Sequence, residues 1–116
     1  MKYVLDTDII SLFIKGNTNI SRRIEPVRER IHTTVINTAE IYYGLHKQPQ
    51  ANSKLYRAME ELLESIVRLD LDFESTKIYG RIKSKLERSG MRLDDMDLLI
   101  AAICLRHDYM LITHNL

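Results

Sequence analysis

Residues 92–107 read RLDDMDLLIAAICLRH, and this stretch carries the main clue to the fold. Its second half is an almost uncharged run of helical length, which predicts a helix buried on most of its surface. Three aspartates, Asp94, Asp95 and Asp97, stand just ahead of that run. Carboxylates so close together repel one another, and each favours protonation of its neighbours unless a cation or a donor compensates. The stretch therefore predicts a buried helix that begins in a concentration of negative charge.

Short apolar segments alternate with helical patterns along the rest of the chain. Four segments are typical of β-strands, namely KYVL (2–5), IHTTVI (31–36), IVRLDL (66–71) and YMLIT (109–113). Strands separated by helices indicate a parallel sheet that is covered on both faces. We therefore predict one domain over residues 1–116, with a three-layer α/β/α fold and a central parallel sheet of about four strands.

Local signals predict where several helices begin and end. Asp8 is the expected N-cap of the first helix and Gly16 its stop. The second helix should bend or end near Pro26, because proline disrupts a helix interior. Pro49 helps to close the third helix, and Gly90 marks the end of the long helix before the aspartate cluster.

The composition limits the class of protein. The 116 residues are 45% hydrophobic and 28% charged, with a formal net charge of +1, as in an ordinary globular domain. Any nucleic-acid binding must therefore rely on local basic patches. Cys104, the single cysteine, lies in an apolar run and predicts a packed thiol in a reducing compartment. No apolar run is long enough to span a bilayer and the N-terminus does not resemble a signal peptide, so we expect a cytoplasmic protein.

Several polar residues should meet at one edge of the sheet. In parallel α/β sheets, ligands bind beyond the carboxyl ends of the strands. Asp6 directly follows the first strand, and Glu40 falls in the predicted first turn of the helix after the second strand. Asp97 falls in the first turn of the buried helix, and the Thr-His-Asn sequence 113–115 follows the fourth strand. Distant segments thus deliver carboxylates and an amide to the same place.

Helix capping is the alternative explanation for some of these acids. The segment from Asn37 to Glu40 resembles a capping box, and Asp94 and Asp97 have the same offset. Capping requires one aspartate rather than three, however, and Asp6 stands at the end of a central strand. Taken together the acids favour a metal site. Oxygen ligands without a nearby cysteine or histidine pair suit Mg²⁺, or Mn²⁺, better than zinc.

Four motifs, in this order and spacing, resemble those of the PIN domain family, most closely the VapC-type toxin ribonucleases of toxin–antitoxin pairs. The motifs are YVLDTDIISLFI (3–14), INTAEIYYG (36–44), DMDLLIAAICL (95–105) and LITHN (111–115). The resemblance implies metal-dependent endonucleolytic cleavage of RNA by three or four acidic residues. It assigns the acidic core, and thus the metal ligands, to Asp6, Glu40 and Asp97. Asn115 stands where many members have a fourth acid and many toxins have asparagine.

The resemblance also suggests supporting roles and a mechanism. Thr113 takes its place in the T-x-N/D arrangement, while Asp95 either assists through a metal-bound water or caps the helix. Asp94 is assigned to capping or to contact with solvent. Our hypothesis is that Asp6 and Asp97 bind Mg²⁺ directly or through water. Glu40 would then orient or deprotonate a water that attacks a backbone phosphate, or share the metal.

The implied partners are an RNA substrate, a second copy of the chain in a homodimer, and an antitoxin. The antitoxin's tail is expected to cover the site, often with an arginine that pairs with the acids as the metal otherwise would. Family members normally continue past the THN motif with a further strand. This chain ends at Leu116, so we expect that strand to be missing and a sheet edge to be exposed.

Basic residues are expected to bring RNA to the acidic centre through phosphate contacts. The candidates on the second helix are Arg22, Arg23, Arg28 and Arg30, and those before the aspartate cluster are Lys83, Lys85, Arg88 and Arg92. The solvated face of an amphipathic helix explains any one of them equally well.

Two other functions compete with the nuclease hypothesis. YVLDTDII also resembles the D-x-D motif of a haloacid-dehalogenase-type phosphatase, with Asp6 as nucleophile and Asp8 as acid. That reaction needs a later lysine and a separate Ser/Thr motif at strand ends, and neither is evident. The third possibility is a non-catalytic interaction module that retains the PIN-like site.

Overall fold

The computed structural model of the protein describes residues 1–47 and 52–114. Its strands are β1 (Tyr3–Leu5), β2 (Ile31–Thr34), β3 (Val67–Leu69) and β4 (Met110–Ile112). All neighbouring strands pair in parallel, in the order β3-β2-β1-β4, so that β1 and β2 are central. The predicted parallel sheet of about four strands is confirmed, and β4 forms one of its edges within the described part of the chain.

Six α-helices connect and cover the strands in the described residues. They are α1 (Thr7–Ile14), α2 (Thr18–Ile24), α3 (Val35–Lys47), α4 (Ser53–Ser65), α5 (Phe73–Arg88) and α6 (Asp95–His107). A 3₁₀ segment, Glu25–Arg30, follows α2 and contains Pro26, which confirms the predicted break. None of the described helices has the length and apolar character needed to cross a membrane.

Alternate side chains of β1 enter two separate cores, because successive residues of a strand point to opposite faces of the sheet. Leu5 belongs to a buried cluster with side chains of α1, α2, α3 and α4. Val4 belongs to a second cluster with Leu69 and the apolar face of α6, and α5 packs along α6. The helices therefore lie on both sides of the sheet, which confirms the three-layer α/β/α fold.

Helix α6 corresponds to the apolar run that dominates the sequence. Ile100 and Ile103 are 1% and 0% exposed, so the prediction of a buried helix is confirmed. Cys104 is also buried, and its burial, with a smaller contribution from the negative charge of Asp6, raises the pKa of its thiol to about 11. The packed thiol expected from the sequence is therefore confirmed.

The start of α1 differs from the prediction that Asp8 is its N-cap. The chain is extended at Asp6 (φ −74°, ψ 166°) and becomes helical at Thr7, so the N-cap is Asp6. Asp8 lies in the first turn instead, where its carboxylate accepts from the backbone amides of Ile9 (2.8 Å) and His114 (3.3 Å). The helix starts two residues early because β1 runs directly into it. The predicted stop at Gly16, with φ +83°, is confirmed.

The start of α3 is also earlier than the sequence suggested. Strand β2 ends at Thr34 rather than residue 36, and the hydroxyl of Thr34 accepts from the backbone N–H of Asn37 at 3.1 Å, the bond of an N-cap residue. The predicted capping box from Asn37 to Glu40 is therefore wrong, and Glu40 lies in the second turn. The proposed role of Pro49 falls outside the described residues, whereas Gly90, with φ +76°, follows the end of α5 as predicted.

Candidate active site

The carboxyl ends of β1 and β4 and the first turn of α6 enclose a depression of about 170 Å³. Asp6, Asp97 and Thr113 line it, together with Ile100 and Leu111. Three of the residues singled out in the sequence are thus brought to one place by the parallel sheet. Asn115, which stands at the fourth acidic position of the family, lies outside the described residues.

Asp97 is the uncompensated carboxylate of this depression. Partial loss of hydration raises its pKa, and the negative charges of Asp94 and Asp6 raise it further. Within the described part of the chain, the carboxylate of Asp97 accepts no hydrogen bond and has no cation within ion-pair distance. The side chain is still open to solvent, so an ion or a substrate can reach it.

Among the described residues, only one carboxylate oxygen of Asp6 accepts hydrogen bonds. Its Oδ1 accepts from the backbone N–H of Thr7 and from the side-chain amide of Asn37, both at 2.9 Å. Its backbone N–H donates to the carbonyl of Ile112 at 2.9 Å, which ties the end of β1 to β4. No described residue donates to Oδ2, and this oxygen is therefore available to a ligand.

Glu40 reaches the site from α3 through a hydroxyl rather than by lining the depression. The Oγ1 of Thr7 donates to its Oε1 at 2.7 Å, and Asn37 donates to the same hydroxyl at 3.0 Å. Glu40 and Thr7 also line a second groove of about 210 Å³ between α1, α3 and α4. Glu40 is therefore connected to Asp6 by a chain of hydrogen bonds.

The other two aspartates of the cluster have separate contacts. Asp94 is the N-cap of α6 and accepts from the backbone N–H of Met96 at 3.3 Å. Asp95 is the first residue of the helix, and its Oδ1 accepts from Lys83 and Tyr79, both at 2.8 Å. These contacts lower the pKa of Asp95, the Lys83 hydrogen bond most of all. The capping role considered for Asp95 is wrong, and that predicted for Asp94 is confirmed.

The donor set fits a hard divalent cation in part. Among residues 1–47 and 52–114, no three His, Cys, Asp or Glu side chains are grouped closely enough to hold a metal ion. Mg²⁺, however, is commonly bound by one or two carboxylates and keeps several waters. Asp6 and Asp97 line one depression, and the charge of Asp6 raises the pKa of Asp97, a repulsion that a cation would offset. The two aspartates therefore suit Mg²⁺ or Mn²⁺.

Three residues of the site were missed by the sequence reasoning, namely Thr7, Thr34 and the side-chain amide of Asn37. The available signal was the spacing of Thr34 and Asn37, which form a T-x-x-N pattern immediately after an apolar strand. Reading that pattern as the cap would have placed Asn37 inside the helix with its side chain close to Asp6.

Comparisons with known proteins agree with this fold and site. The PIN domain family model matches residues 3–116. The chain is 28% identical to ribonuclease VapC2 of Rickettsia felis, over all of this chain and 88% of that protein. It is 32% identical to ribonuclease VapC3 of Methanocaldococcus jannaschii, over 89% of this chain and 98% of that protein.

Solved structures give the same result. The crystal structure of VapBC2 from Rickettsia felis bound to a promoter DNA fragment has a chain with a TM-score of 0.90 and 26% identity, covering 99% of this chain and 88% of that one. The structure of VapBC-1 from nontypeable Haemophilus influenzae has a chain with a TM-score of 0.84 and 30% identity, covering 99% of this chain and 87% of that one. The chain therefore belongs to the PIN domain family, among its VapC-type members.

The phosphatase alternative finds no support in these observations. Both carboxylate oxygens of Asp8, the acid that this alternative requires, accept from backbone amides. The comparisons point to a different family over nearly the whole chain.

Proposed function

We propose that this protein is a metal-dependent endoribonuclease and the toxin of a toxin–antitoxin pair. The observation that carries the proposal is the pair of carboxylates, Asp6 and Asp97, in one depression at the carboxyl edge of a PIN fold. Relatives named ribonuclease VapC support cleavage of RNA. The cytoplasm, where RNA and an antitoxin are present, is the proposed site of action.

Each acid has a role that its contacts support. Asp6 and Asp97 would hold Mg²⁺ or Mn²⁺, with Asn115 and Thr113 in support at the end of β4. When bound, the ion supplies positive charge to the phosphoryl oxygens and acidifies water. Glu40, whose Oε1 is fixed by Thr7, would use its other oxygen to orient the attacking water.

The reaction proposed for these residues is hydrolysis of a phosphodiester bond. The water oxygen attacks phosphorus, its proton passes to Glu40, and the ribose oxygen opposite the incoming water leaves with a proton from solvent. The substrate would be an exposed single-stranded segment, because only unpaired RNA lets the backbone bend into a shallow depression.

Positive charge for RNA phosphates would come from part of the predicted basic set. Arg28 pairs with Glu25 at 3.2 Å and Lys83 with Asp95 at 2.8 Å, so these two cations are already compensated. The exposed basic residues with no ion pair among the described residues include Arg22, Arg23, Lys85, Arg88 and Arg92. We propose that these contact phosphates, and cleavage at low substrate concentration should then weaken as salt rises.

The groove beside Glu40 is the proposed docking site of the antitoxin. Its apolar lining is Ile14, Ile41, Leu45, Leu55 and Met59, and its polar lining is Thr7, Ser11, Lys15 and Glu40. An apolar antitoxin segment that ends in a cation would fill the groove and pair with Glu40. The similarity to the solved VapBC2 and VapBC-1 structures supports such a partner, and a homodimer is proposed alongside it.

A bulky residue in the groove tests this docking site. Gly44 lines the groove, and an added Cβ there meets nothing within 4 Å, so Gly44→Arg should block the antitoxin without disturbing the helix. Gly80→Arg, at an equally open glycine of α5, is the matched control. Titration calorimetry with the antitoxin should show weaker binding for the first variant only; equal binding by both variants would refute the groove assignment.

The proposed nuclease activity is tested with protein purified free of any antitoxin. Hairpin and single-stranded RNAs are incubated with the protein in Mg²⁺, Mn²⁺ or EDTA, and the products are resolved by electrophoresis. We expect internal cleavage with either ion, none in EDTA and none with Asp6→Asn, whereas Asp8→Asn should retain activity. RNA that stays intact with both ions would refute the proposal.

A further inference from the structure

A partly buried chain of hydrogen bonds connects the carboxylates of Asp6 and Glu40. It runs from Thr34 to Asn37 (2.7 Å), and from the amide of Asn37 to both Asp6 (2.9 Å) and Thr7 (3.0 Å). It ends where Thr7 donates to Glu40 at 2.7 Å. Asn37 is 0% exposed, and every polar atom of its side chain has a partner.

The direction of every bond in this chain is fixed. The Thr34 hydroxyl accepts from the backbone N–H of Asn37, so its own hydrogen goes to Asn37 Oδ1. Both hydrogens of the Asn37 amide are then used, one on Asp6 and one on Thr7. Because Thr7 Oγ1 accepts from Asn37, its hydrogen can only go to Glu40. Reversing the amide would place its oxygen against the Asp6 carboxylate, which is repulsive.

The chain of bonds also determines which carboxylate oxygens remain available. Asp6 uses Oδ1 for both of its described donors, and Glu40 uses Oε1 for Thr7. Within residues 1–47 and 52–114, each acid is thereby held by one oxygen and presents the other. An asparagine is the residue that achieves this: aspartate would repel Asp6, and an apolar residue would leave Asp6 and Thr7 without their buried donor.

We propose that Asn37 is a positioning residue that, through Thr7, holds Asp6 and Glu40 as one unit with a fixed separation. This inference rests on the proposed nuclease function. Asn37 contacts neither substrate nor ion in it; its effect is on the orientation of the two acids, as for the outer-shell partners of metal ligands.

The test compares variants that remove single bonds of the chain. Thr7→Val removes the hydroxyl, whereas Thr7→Ser retains it and should rescue the function. Asn37→Leu removes both amide donors. The matched control is Thr38→Val, because Thr38 is the next residue of α3 and its hydroxyl donates only to the carbonyl of Val35.

Three measurements separate positioning from a general loss of structure. We expect Thr7→Val and Asn37→Leu to lower kcat for RNA by about 10–100-fold with KM changed less than about twofold. Binding of Mn²⁺ to the RNA-free protein, followed by electron paramagnetic resonance, should weaken in Asn37→Leu, which removes a donor to Asp6. Thr7→Val leaves that donor in place and should bind Mn²⁺ close to the parent. Thr7→Ser and Thr38→Val should stay close to the parent in both measurements, and circular dichroism melts report folding.

The outcomes are distinguishable from failure of the proposed function itself. If the parent protein cuts no RNA, the nuclease proposal fails, and the Mn²⁺ titrations alone then decide the positioning role. If Asn37→Leu does not fold, the Thr7→Val and Thr7→Ser pair decides it. Equal kcat in Thr7→Val and the Thr38→Val control would overturn the inference, as would equal Mn²⁺ affinity in a folded Asn37→Leu and that control, or a Thr7→Ser variant as impaired as Thr7→Val.

Discussion

Asp72, the N-cap of α5, and Asp97, in the first turn of α6, have opposite electrostatics. At α5, Asp72 accepts from the hydroxyl (2.6 Å) and backbone N–H (2.8 Å) of Ser75, and also from Arg106 (3.1 Å). These contacts, the Ser75 bonds first, lower the pKa of Asp72 to about 2. At α6, partial loss of hydration and neighbouring negative charges raise the pKa of Asp97. One acid is stabilised by the fold and the other is not.

The difference shows how a functional acid can be told from a structural one. Asp72 is supplied with donors from its own helix and from α6. In the α6 cluster, Asp94 caps the helix and Asp95 pairs with Lys83, so two of the three acids are also accounted for structurally. Only Asp97 is left without a described partner, at the mouth of a depression that it shares with Asp6. An acid whose charged form destabilises the folded protein is a candidate for a functional residue.

The largest expected effect comes from removing the uncompensated charge with Asp97→Asn. RNA cleavage should fall by more than about a hundredfold, since even the loss of an outer-shell partner costs about 10–100-fold. In EDTA at neutral pH the Tm should stay equal or rise, because the repulsion with Asp94 and Asp6 is relieved. Cleavage assays and thermal melts on the same sample measure both.

The isosteric control for that variant is Asp72→Asn at the other helix. It should retain cleavage while lowering the Tm, because the ion pair with Arg106 is lost. A loss of cleavage with Asp72→Asn, or a large drop in Tm with Asp97→Asn, would remove the distinction between the two acids.

The α6 aspartates also show how far the sequence alone could be used. The apolar run predicted the buried helix, and the strand ends predicted that Asp6 and Asp97 would meet, because both follow from periodicity and parallel topology. The separate roles of Asp94, Asp95 and Asp97 could not be predicted from the sequence. They depend on the contacts of Asp95 with Lys83 and Tyr79, which are set by the packing of α5 against α6. Asn37 was wrongly taken as the start of a capping box for a similar reason. Strand β2 ends at Thr34 and α3 begins at Val35, so Asn37 lies inside the helix.

The second effect is on the pH dependence of stability in the metal-free protein. The folded pKa of Asp72 lies below its ordinary value of 3.8, so its stabilisation is complete above about pH 4 and is lost as the pH falls towards 2. The folded pKa of Asp97 lies above 3.8, so its destabilisation is absent at low pH and appears as the pH rises above about 4.

Urea unfolding between pH 2 and pH 7 in EDTA separates the two contributions. The parent and Asp72→Asn should differ at neutral pH and converge near pH 2, with the parent more stable. The parent and Asp97→Asn should also converge at low pH, with the variant the more stable at neutral pH. Parallel curves for either pair contradict the assigned direction of that pKa.

A smaller effect is expected from Asp95→Asn, which tests whether Asp95 assists the reaction. Its carboxylate is engaged by Lys83 and Tyr79, so cleavage should fall less than about tenfold, below the range of an outer-shell partner. Lys83→Met removes the same ion pair by deleting the cation, so it is the matched control and should have the same small effect on cleavage. A loss of about 10–100-fold in kcat with Asp95→Asn alone would instead place Asp95 among the assisting residues.

The smallest effect is expected from Asp94→Ser, which keeps a capping oxygen but removes one negative charge beside Asp97. The free energy of unfolding should change by less than about 0.5 kcal/mol, as for most surface substitutions. The pKa of Asp97, followed by carbon NMR of its carboxyl in EDTA, should nevertheless fall, because Asp94 is one of the charges that raise it. Glu74→Gln, in the first turn of α5, is the control, since Glu74 pairs with Lys77 and does not contribute to that pKa. If both substitutions changed the pKa of Asp97 equally, the charge of Asp94 would not be a specific cause of that raised pKa. The difference between Asp72 and Asp97 would then need another explanation.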